Sequence, residues 1–227
     1  MTGTRGTDLV YINEAFYSNA VSPEQLDLRL ANGWRHFGTY FFRYNLAMYR
    51  DEIRRVIPLR IRLANFQPSK SQRRILRKNS DLNTEIRPAV ITPESEDLFH
   101  RHKVRFEHGV PGSIYDFLSR EPASVPNECR EIAVYLDDKL VAVSYFDIGE
   151  RMTSGIYAIF DPAESSRGLG IFTMLKEIEF AAETGRDFYY QGYAYEGESF
   201  YDYKKRFSGL ERFDWSGTWI PSAETGD

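Results

Sequence analysis

The sequence predicts an α+β fold, in which a mixed, mostly antiparallel sheet is flanked by helices. Residues 156–160 form a short apolar run that suits a half-buried strand, and Asp161-Pro162 ends it because proline cannot donate to a strand ladder. From Gly168 onward the apolar residues recur with the period of a helix, at Ile171, Met174, Leu175, Ile178, Ala181 and Ala182. A strand at 188–193 follows this helix, and a hairpin at 131–147 precedes the first strand.

Four elements are predicted before residue 65. A strand covers 9–12. A helix then begins with Ser22 as its cap, proline at its first position and Gln25 completing a capping box. An aromatic-rich strand with a glycine bulge covers 34–42. A further strand at 57–63 alternates apolar residues with arginines, which predicts a strand with one basic face in water.

The second half of the chain adds two helical segments and a closing strand. Thr92-Pro93 opens a helix, and a helical turn covers 115–118. Ser165 or Ser166 is expected to cap the helix that follows Gly168. An edge strand is predicted at 215–220.

The composition is that of a globular protein, with 42% hydrophobic and 27% charged residues and a net charge of −4. No apolar run approaches the ~20 residues of a membrane span, and residues 1–8 lack an apolar signal region, so we expect a cytoplasmic location without membrane contact. The single Cys129 excludes an internal disulfide and a cysteine-based metal cluster. The histidines show no ligand spacing, so no metal is expected; they are His36, His100, His102 and His108.

A basic segment stands out within this acidic protein. Between Arg50 and Lys78 there are ten basic residues and two acidic ones, which gives the segment a net charge of +8. Ser69 or Ser71 can cap a short helix that presents basic side chains on roughly one side. Such a cluster is typical of a phosphate-binding surface, and the alternative is a solvated charged face.

Two glycines, Gly168 and Gly170, open the predicted central helix. They allow a close approach to backbone N–H groups that have no partner within the helix, which favours an anion site, although a plain tight turn is an equal alternative. The order of strand, glycine loop, helix and strand resembles the GNAT acyltransferase fold, in which the acyl donor lies across this loop. Ser165 stands where that fold usually has Arg or Gln, which weighs against ordinary acetyl-CoA binding.

Four motifs in order resemble one family more closely. They are Phe66–Arg74 with Asn79, Tyr157-x-x-Phe160-Asp161-Pro162, Leu169-Gly170 leading into Lys176–Glu179, and Gly192-Tyr193 with Tyr203-Lys204. Together they resemble the arginyl-tRNA–protein transferases and their bacterial leucyl-transferring relatives, from about Trp34 to Trp219. The resemblance implies a GNAT-like catalytic core in 86–227 and a smaller N-terminal α/β lobe in 1–85 that carries the basic turn.

The resemblance also implies an activity and a site. The family moves an aminoacyl group from charged tRNA, the co-substrate, onto the α-amine of an acidic N-terminal residue, with no further cofactor. Tyr203 and Lys204 match the family's Tyr-Lys pair, which implies that Lys204 binds a substrate carboxylate or the terminal phosphate and that Tyr203 relays a proton or orients the substrate. A packed Tyr203 and a solvated Lys204 are the structural alternative. The implied tRNA-binding residues are Lys70, Gln72, Arg73, Arg74, Arg77 and Lys78. The implied substrate-binding residues are Tyr157, Asp161, Gly168, Gly170, Gly192, Tyr193, Glu196, Glu198 and Asp202.

The departures from the family refine these expectations. The segment at 44–56 lacks the family's cysteines, so regulation through them is expected to be absent. Ala194 and Glu198 replace a typical Trp and Cys, which favours a specialised peptide acceptor such as an isoaspartyl one. Carboxylates at Glu196, Glu198 and Asp202 favour arginine as the donor, because a cationic donor needs anions nearby, although an acidic loop can also be only solvated.

Two other functions stay open at this point. One is a GNAT N-acyltransferase that uses acyl-CoA, and the other is a non-catalytic module that binds tRNA or a degron. The retained Tyr203-Lys204 pair and the glycine loop weigh against the second alternative. The oligomeric state is left open.

Overall fold

The computed structural model describes residues 10–106 and 109–222. The strands of this part, in chain order, are β1 (Asn13–Tyr17), β2 (Arg35–Phe37), β3 (Tyr40–Tyr44), β4 (Leu46–Tyr49), β5 (Glu52–Arg62), β6 (Asn83–Pro88), β7 (Cys129–Leu136), β8 (Lys139–Ile148), β9 (Met152–Phe160), β10 (Phe188–Tyr195), β11 (Leu210–Phe213) and β12 (Trp219–Pro221). The α-helices are α1 (Pro23–Ala31), α2 (Lys70–Lys78), α3 (Pro93–Lys103) and α4 (Leu169–Glu183). Short 3₁₀ helices cover Leu63–Asn65, Ile114–Asp116, Pro162–Arg167 and Phe200–Arg206.

A nine-stranded sheet forms the centre of the molecule. Its order is β12-β11-β5-β10-β9-β8-β7-β6, with β4 paired to β5 outside this path. Within the described residues β9 and β10 pair in parallel, whereas the other pairs are antiparallel. The parallel pair is the crossover through α4, since parallel strands need a long connection. This confirms the predicted α+β class and the GNAT-like order of strand, glycine loop, helix and strand.

The helices cover the sheet with the faces that their sequences predict. Met174, Leu175 and Ile178 of α4 pack on β5 and β10, and Leu169 and Phe172 pack on β7 and β8. The apolar face of α3 packs on β8 and β9 through Leu98 and Phe99. The predicted capping box of α1 (Ser22 with Gln25) forms, Ser69 rather than Ser71 caps α2, where Gln72 completes a capping box, and Thr92 caps α3 as predicted.

A second, three-stranded sheet has the order β1-β3-β2. The single strand predicted at 34–42 is wrong, because Gly38, at φ +50°, turns the chain between β2 and β3. The first strand begins at Asn13, opposite Tyr44, and not at 9–12, of which residue 9 lies outside the described part. Val10 and Tyr11 are exposed, which explains why an apolar run alone misplaced the strand.

Two other predictions are corrected by the packing around α4 and β5. Ser165 and Ser166 lie inside a 3₁₀ helix, and the N-cap residue of α4 is Gly168, at φ +69°, so no side chain caps this helix. The basic face of β5 is only partly in water, because the Arg62 side chain is 42% exposed whereas Arg60 is covered. Arg60 is buried, because β11, which the sequence analysis did not predict, places Glu211 against its Nε at 2.7 Å. The closing strand is β12 at 219–221 and not 215–220.

The predicted division at residues 85 and 86 remains a prediction. β5, from the N-terminal part, lies between β10 and β11 of the C-terminal part. The main sheet therefore contains strands from both parts of the chain.

Candidate active site

The centre of the candidate site is the place where β9 and β10 separate. The two strands pair only from Met152 to Ser154 and from Phe188 to Tyr190. Beyond these residues both strands are irregular, with a register shift in β9 between Gly155 and Tyr157 and another in β10 between Tyr190 and Gly192. Backbone groups that leave a ladder in this way are free to bind a ligand.

Arg35 of β2 lies across this separation. Its guanidinium donates from Nη1 to Ser154 Oγ and from Nη2 to the Gly155 carbonyl, both at 2.7 Å. A Cβ on Gly192 would lie 3.2 Å from the Arg35 Cζ, so the absence of a side chain there makes room for the guanidinium. Arg35 is 8% exposed, and no carboxylate within the described residues pairs with it directly. A buried cation without a direct counter-ion is costly in a merely structural position.

Lys204 reaches the same point from the 3₁₀ helix 200–206. Its Nζ donates to the Tyr193 carbonyl at 3.1 Å and lies 5.1 Å from the centre of the Tyr201 ring. Burial, and then the positive charge of Arg35, lower the pKa of Lys204 to about 7. The neighbouring Tyr203 packs on the core between α4 and β10, and burial raises its pKa to about 12. At neutral pH the 3₁₀ helix 200–206 therefore carries a partly uncharged amine and, at the preceding residue, a protonated phenol.

Two buried carboxylates complete the polar centre. Glu177 of α4 is 2% exposed and accepts a hydrogen bond from the Tyr189 hydroxyl at 2.6 Å, and burial raises the pKa of Glu177 to about 7. Asp147 of β8 contacts His36 Nε2 at 2.8 Å and accepts from Asn127 Nδ2 at 2.7 Å. Both carboxylates are already hydrogen-bonded to other residues. They interact with the Arg35 guanidinium electrostatically, without a direct hydrogen bond.

The predicted phosphate-binding residues share one surface, with one exception. Five of them are exposed on α2, and within the described residues none forms an ion pair; they are Lys70, Arg73, Arg74, Arg77 and Lys78. We call these five the α2 basic surface. Gln72 is buried instead, because its side chain closes the capping box of α2 and donates to the Arg206 carbonyl at 3.3 Å. That bond joins α2 to the segment that carries Lys204.

The glycine loop lies beside the α2 basic surface. Lys78 and Asn79 donate to the carbonyls of Ser166 and Arg167 at 2.6 and 3.0 Å. A Cβ on Gly168 would lie 3.5 Å from Ile75 of α2, and one on Gly170 would lie 3.5 Å from the Phe160 ring. Both distances are ordinary contacts, so it is the φ of +69° that favours glycine at 168, and the turn and the basic helix are joined by the two hydrogen bonds.

Four of the predicted substrate residues have structural partners. Asp161 caps the 3₁₀ helix 162–167 and bonds to Lys139 at 2.8 Å, and this bond lowers the pKa of Asp161. The Tyr193 hydroxyl donates to the Gly33 carbonyl at 2.6 Å. Asp202 caps the helix 200–206 and pairs with Lys205 at 2.7 Å. Tyr157 stacks on Phe117 with ring centres 3.8 Å apart, and its buried hydroxyl has no hydrogen-bond partner.

The remaining two predicted carboxylates do not enter the centre. Glu196 and Glu198 are exposed on the loop after β10, and the Glu198 backbone carbonyl accepts a bond from Arg54. Together with Asp202, which is already paired, they form an exposed acidic loop.

Sequence reasoning missed the buried members of the site. Glu177 had a signal, since it is a charged residue within the apolar stripe of α4, between Met174 and Ile178. Arg35 had none, because it stands in an aromatic run whose partners are more than 100 residues away. Gln191, the residue at the β10 irregularity, is 4% exposed, and neither atom of its amide has a partner.

Comparison with known proteins decides the family. The arginine-tRNA-protein transferase C-terminal model matches residues 94–214, and the N-terminal model of the same family matches residues 5–74. The chain belongs to the arginine-tRNA-protein transferase family. It is therefore an aminoacyl-tRNA-dependent transferase, as the motifs implied.

Individual relatives agree with this assignment. The chain is similar to an aspartate/glutamate leucyltransferase of Xanthomonas euvesicatoria pv. vesicatoria (strain 85-10), 34% identical over 72% of this chain and 70% of that protein. A second, from Stenotrophomonas maltophilia (strain K279a), is 31% identical over 82% of this chain and 76% of that protein. Among solved structures, FemX is 11% identical with a TM-score of 0.49, over 86% of this chain and 70% of that one.

None of the helices in the described residues is long and apolar enough to cross a membrane. Across residues 10–106 and 109–222, no group of three or more His, Cys, Asp or Glu side chains is arranged to hold a metal ion.

Proposed function

We propose that this transferase conjugates an amino acid from charged tRNA to the α-amine of an acidic N-terminal residue, with the reaction at Lys204 and Tyr203. One observation carries the proposal: Arg35 and Lys204, two buried or half-buried cationic groups, meet at Gly192 and Tyr193 of β10 with only neutral partners. An acidic acceptor brings the negative charge that the Arg35 guanidinium lacks.

The chemistry of the transfer suits these two side chains. The aminoacyl ester is already activated, so attack by an amine requires positioning, removal of a proton from that amine and stabilisation of the oxyanion. The pKa of Lys204, about 7, makes its amine a fitting proton acceptor for an α-amine, which titrates near 8. Tyr203 stays protonated at neutral pH and can donate a hydrogen bond to the developing oxyanion. This is a more specific role for Lys204 than binding a carboxylate.

The donor tRNA is proposed to bind on the α2 basic surface and the adjoining glycine loop. Support comes from the position of this surface, which joins the segment carrying Lys204 through Gln72 and Arg206. Gln72 itself is left out of the proposed contacts because it is buried. Five unpaired, exposed cations suit the phosphate backbone and predict a strong dependence of binding on salt.

The amino acid that the donor carries has two candidates. Arginine is the sequence prediction, which rests on Glu196, Glu198 and Asp202, although Asp202 is paired with Lys205. Leucine is supported by the names of the curated relatives. The acceptor is likewise open in one respect, because Ala194 and Glu198 depart from the family pattern and favour a specialised peptide such as an isoaspartyl one.

The test measures transfer of radiolabelled amino acid from arginyl-tRNA and leucyl-tRNA to peptides that begin with Asp, Glu, isoaspartate or Ala. We expect transfer to the acidic peptides and not to the Ala peptide. Lys204→Ala should abolish transfer, whereas Lys176→Ala should leave it unchanged, because Lys176 pairs with Glu179 on the outer face of α4. The donor that works identifies the specificity.

Other outcomes would reject the proposal. Transfer to the Ala peptide at the same rate as to the acidic ones would contradict the acceptor assignment. Binding of tRNA without transfer to any peptide would support the non-catalytic module. Failure to bind tRNA, together with acyl transfer from acyl-CoA, would support the GNAT N-acyltransferase.

The tRNA surface has its own test. Replacing Arg73, Arg74 and Arg77 by Gln should weaken tRNA binding and reduce the slope of log affinity against log salt by about one for each lost phosphate contact. Arg120→Gln removes an exposed arginine outside α2 and serves as the control. An equal loss of affinity in both variants would place the tRNA elsewhere.

A further inference from the structure

Arg35 and Lys204 come from distant parts of the chain and meet at adjacent residues of β10. The Arg35 guanidinium lies over Gly192, and the Lys204 Nζ is bonded to the carbonyl of the next residue, Tyr193. Arg35 is held rigidly, because two of its nitrogens are bonded to consecutive residues of β9, Ser154 and Gly155. The arrangement fixes one cation beside another across the separation of β9 and β10.

A structural explanation accounts poorly for this arrangement. A buried arginine that serves only stability is normally paired with a carboxylate, as Arg60 is with Glu211 at 2.7 Å. Arg35 instead donates to a hydroxyl and a carbonyl, although Glu177 and Asp147 lie close enough to act on it through space. Two glycines, Gly155 and Gly192, lie at the guanidinium, one as hydrogen-bond acceptor and one through the absence of a side chain.

We propose that Arg35 is the positioning residue that makes Lys204 the proton acceptor of the transfer reaction. It does so by presenting a fixed positive charge beside the lysine amine. This inference rests on the proposed function, and it adds a residue that neither the motifs nor the family resemblance identified.

The reaction balances as follows. The uncharged amine of Lys204 takes one proton from the α-ammonium of the acceptor, which leaves a free α-amine. That amine attacks the ester carbonyl, a C–N bond forms, and the C–O bond to the terminal ribose of the tRNA breaks. A second proton of the attacking nitrogen goes to the leaving ribose oxygen, and the Lys204 ammonium returns its proton to water. No other reactant is needed.

The charged groups around Lys204 are consistent with a lowering of its pKa by Arg35. Arg35 from β2 is the charged neighbour, and burial together with its charge lowers the Lys204 pKa to about 7. The other titratable groups of this cluster are Tyr44 of β3, Tyr193 of β10, Glu177 of α4, and Tyr201 and Tyr203 of the same 3₁₀ helix. The tyrosines are uncharged at neutral pH, because burial raises the pKa of each of them. Glu177 is bonded to Tyr189 and not to Lys204.

The first test measures the titration of Lys204 without relying on transfer. Trace labelling with acetic anhydride at a series of pH values, read by fragment-ion mass spectrometry, gives a midpoint for each lysine, and Lys176 serves as the internal reference. We expect the Lys204 midpoint near pH 7 in the intact protein. In Arg35→Gln the positive charge is gone, so the midpoint should rise by about one pH unit. In Arg35→Lys the charge is retained, so the midpoint should stay near that of the intact protein.

The second test follows the pH profile of transfer between pH 6 and 8.5, corrected for uncatalysed ester hydrolysis. Transfer by Arg35→Gln should be reduced at pH 7 and recover toward pH 8.5, because more Lys204 is then uncharged. A merely structural role of Arg35 predicts the same loss at every pH. The titration of the acceptor amine is common to all variants and cancels in the comparison.

The outcomes separate the two proposals. An unchanged Lys204 midpoint in Arg35→Gln, or a midpoint equal to that of Lys176 in the intact protein, overturns this inference whether or not transfer occurs. A shifted midpoint without any transfer by the intact protein supports the action of Arg35 on Lys204 and rejects the proposed function. If Arg35→Gln does not fold, Arg35→Met removes the charge with a neutral side chain of similar length, and an unchanged midpoint in that variant overturns the inference.

Discussion

The guanidinium of Arg35 occupies the space beside Gly192 that a side chain would need: a Cβ on Gly192 would lie 3.2 Å from the guanidinium carbon. Gly192 also has φ +88°, a conformation that residues with a side chain rarely adopt. Through this contact the small N-terminal sheet places a charged group at the irregular part of β10. The contact joins the fold of the N-terminal segment to the chemistry of the main sheet.

Gly192→Ala should therefore destabilise the protein for two reasons. The positive φ costs about 1–3 kcal/mol for a residue with a side chain, and the new methyl group pushes against the guanidinium. Gly185→Ala is the matched control, because Gly185 has φ +72° and no atom within 4 Å of its Cβ position. Urea unfolding should show a larger loss for Gly192→Ala. An equal loss would mean that the contact with Arg35 adds nothing.

Glu177→Gln should change how stability depends on pH. Burial raises the pKa of Glu177 to about 7, from 4.5 in an exposed state, so the folded protein binds this proton more tightly than the unfolded chain does. The resulting stability is complete below pH 4.5 and is lost as the pH rises to 7, by about 3 kcal/mol in total. The amide cannot ionise, and it can still accept the Tyr189 hydrogen bond. The free energy of unfolding should be measured at pH 5 and pH 8. Relative to the intact protein, Glu177→Gln should be more stable at pH 8 than at pH 5, and the exposed Glu179→Gln should show no such change.

His102 should produce the opposite pH dependence. Its Nδ1 accepts the backbone N–H of Phe160 at 3.0 Å, and burial lowers its pKa from 6.5 to about 4. The unfolded chain therefore binds the proton more readily, and this contribution to stability is complete above pH 6.5 and lost as the pH falls to 4, by about 3 kcal/mol. His102→Gln should flatten the pH dependence between 4.5 and 7. His100→Gln, an exposed change on the same helix, should retain the dependence of the intact protein.

Glu211→Gln should lower the free energy of unfolding, because Arg60 of β5 is buried against this carboxylate. Glu211 accepts from Arg60 and Arg62, each at 2.7 Å, and Arg60 lies between the rings of Phe188 and Trp219. Removing the negative charge leaves a buried arginine without its counter-ion, so we expect a loss of about 3 kcal/mol. Glu14→Gln, which breaks a surface pair with Arg43, should cost less than about 1 kcal/mol. Comparable losses from both changes would show that the Arg60 guanidinium is satisfied by the aromatic rings alone.

Local sequence signals were reliable where a single element determines the outcome. The capping box at Ser22 forms as predicted and Ser69, one of the two predicted candidates, caps α2, since every atom involved lies within four residues. The helix α4 follows its apolar stripe, because burial of that stripe is its main source of stability. The exposed α2 basic surface could also be anticipated, because the segment lacks acidic residues that could pair along the helix.

Predictions failed where the environment of a side chain depends on residues outside its own element. Arg60 and Arg62 of β5 alternate with apolar residues, as on a solvent-exposed strand face. In the structure both pair with Glu211 of β11, which lies more than 140 residues later in the chain. Ser165 and Ser166 look like caps, but the αL conformation of Gly168 starts α4 instead. Gln72 looked like a tRNA contact, but it is buried by its bonds to the α2 cap and to Arg206.

The sequence by itself determined the α+β class, most helices and strands, the family resemblance, and the Tyr203-Lys204 pair. These depend on periodicity, capping and short motifs, all of which are local. Only the tertiary structure decided what lies near Lys204: the Arg35 guanidinium, which is held on Ser154 and Gly155, and, acting on Arg35 through space, the buried Glu177. The physical reason is that a pKa depends on burial and on charges nearby in space, and those charges are supplied by β2 and α4, far away along the chain.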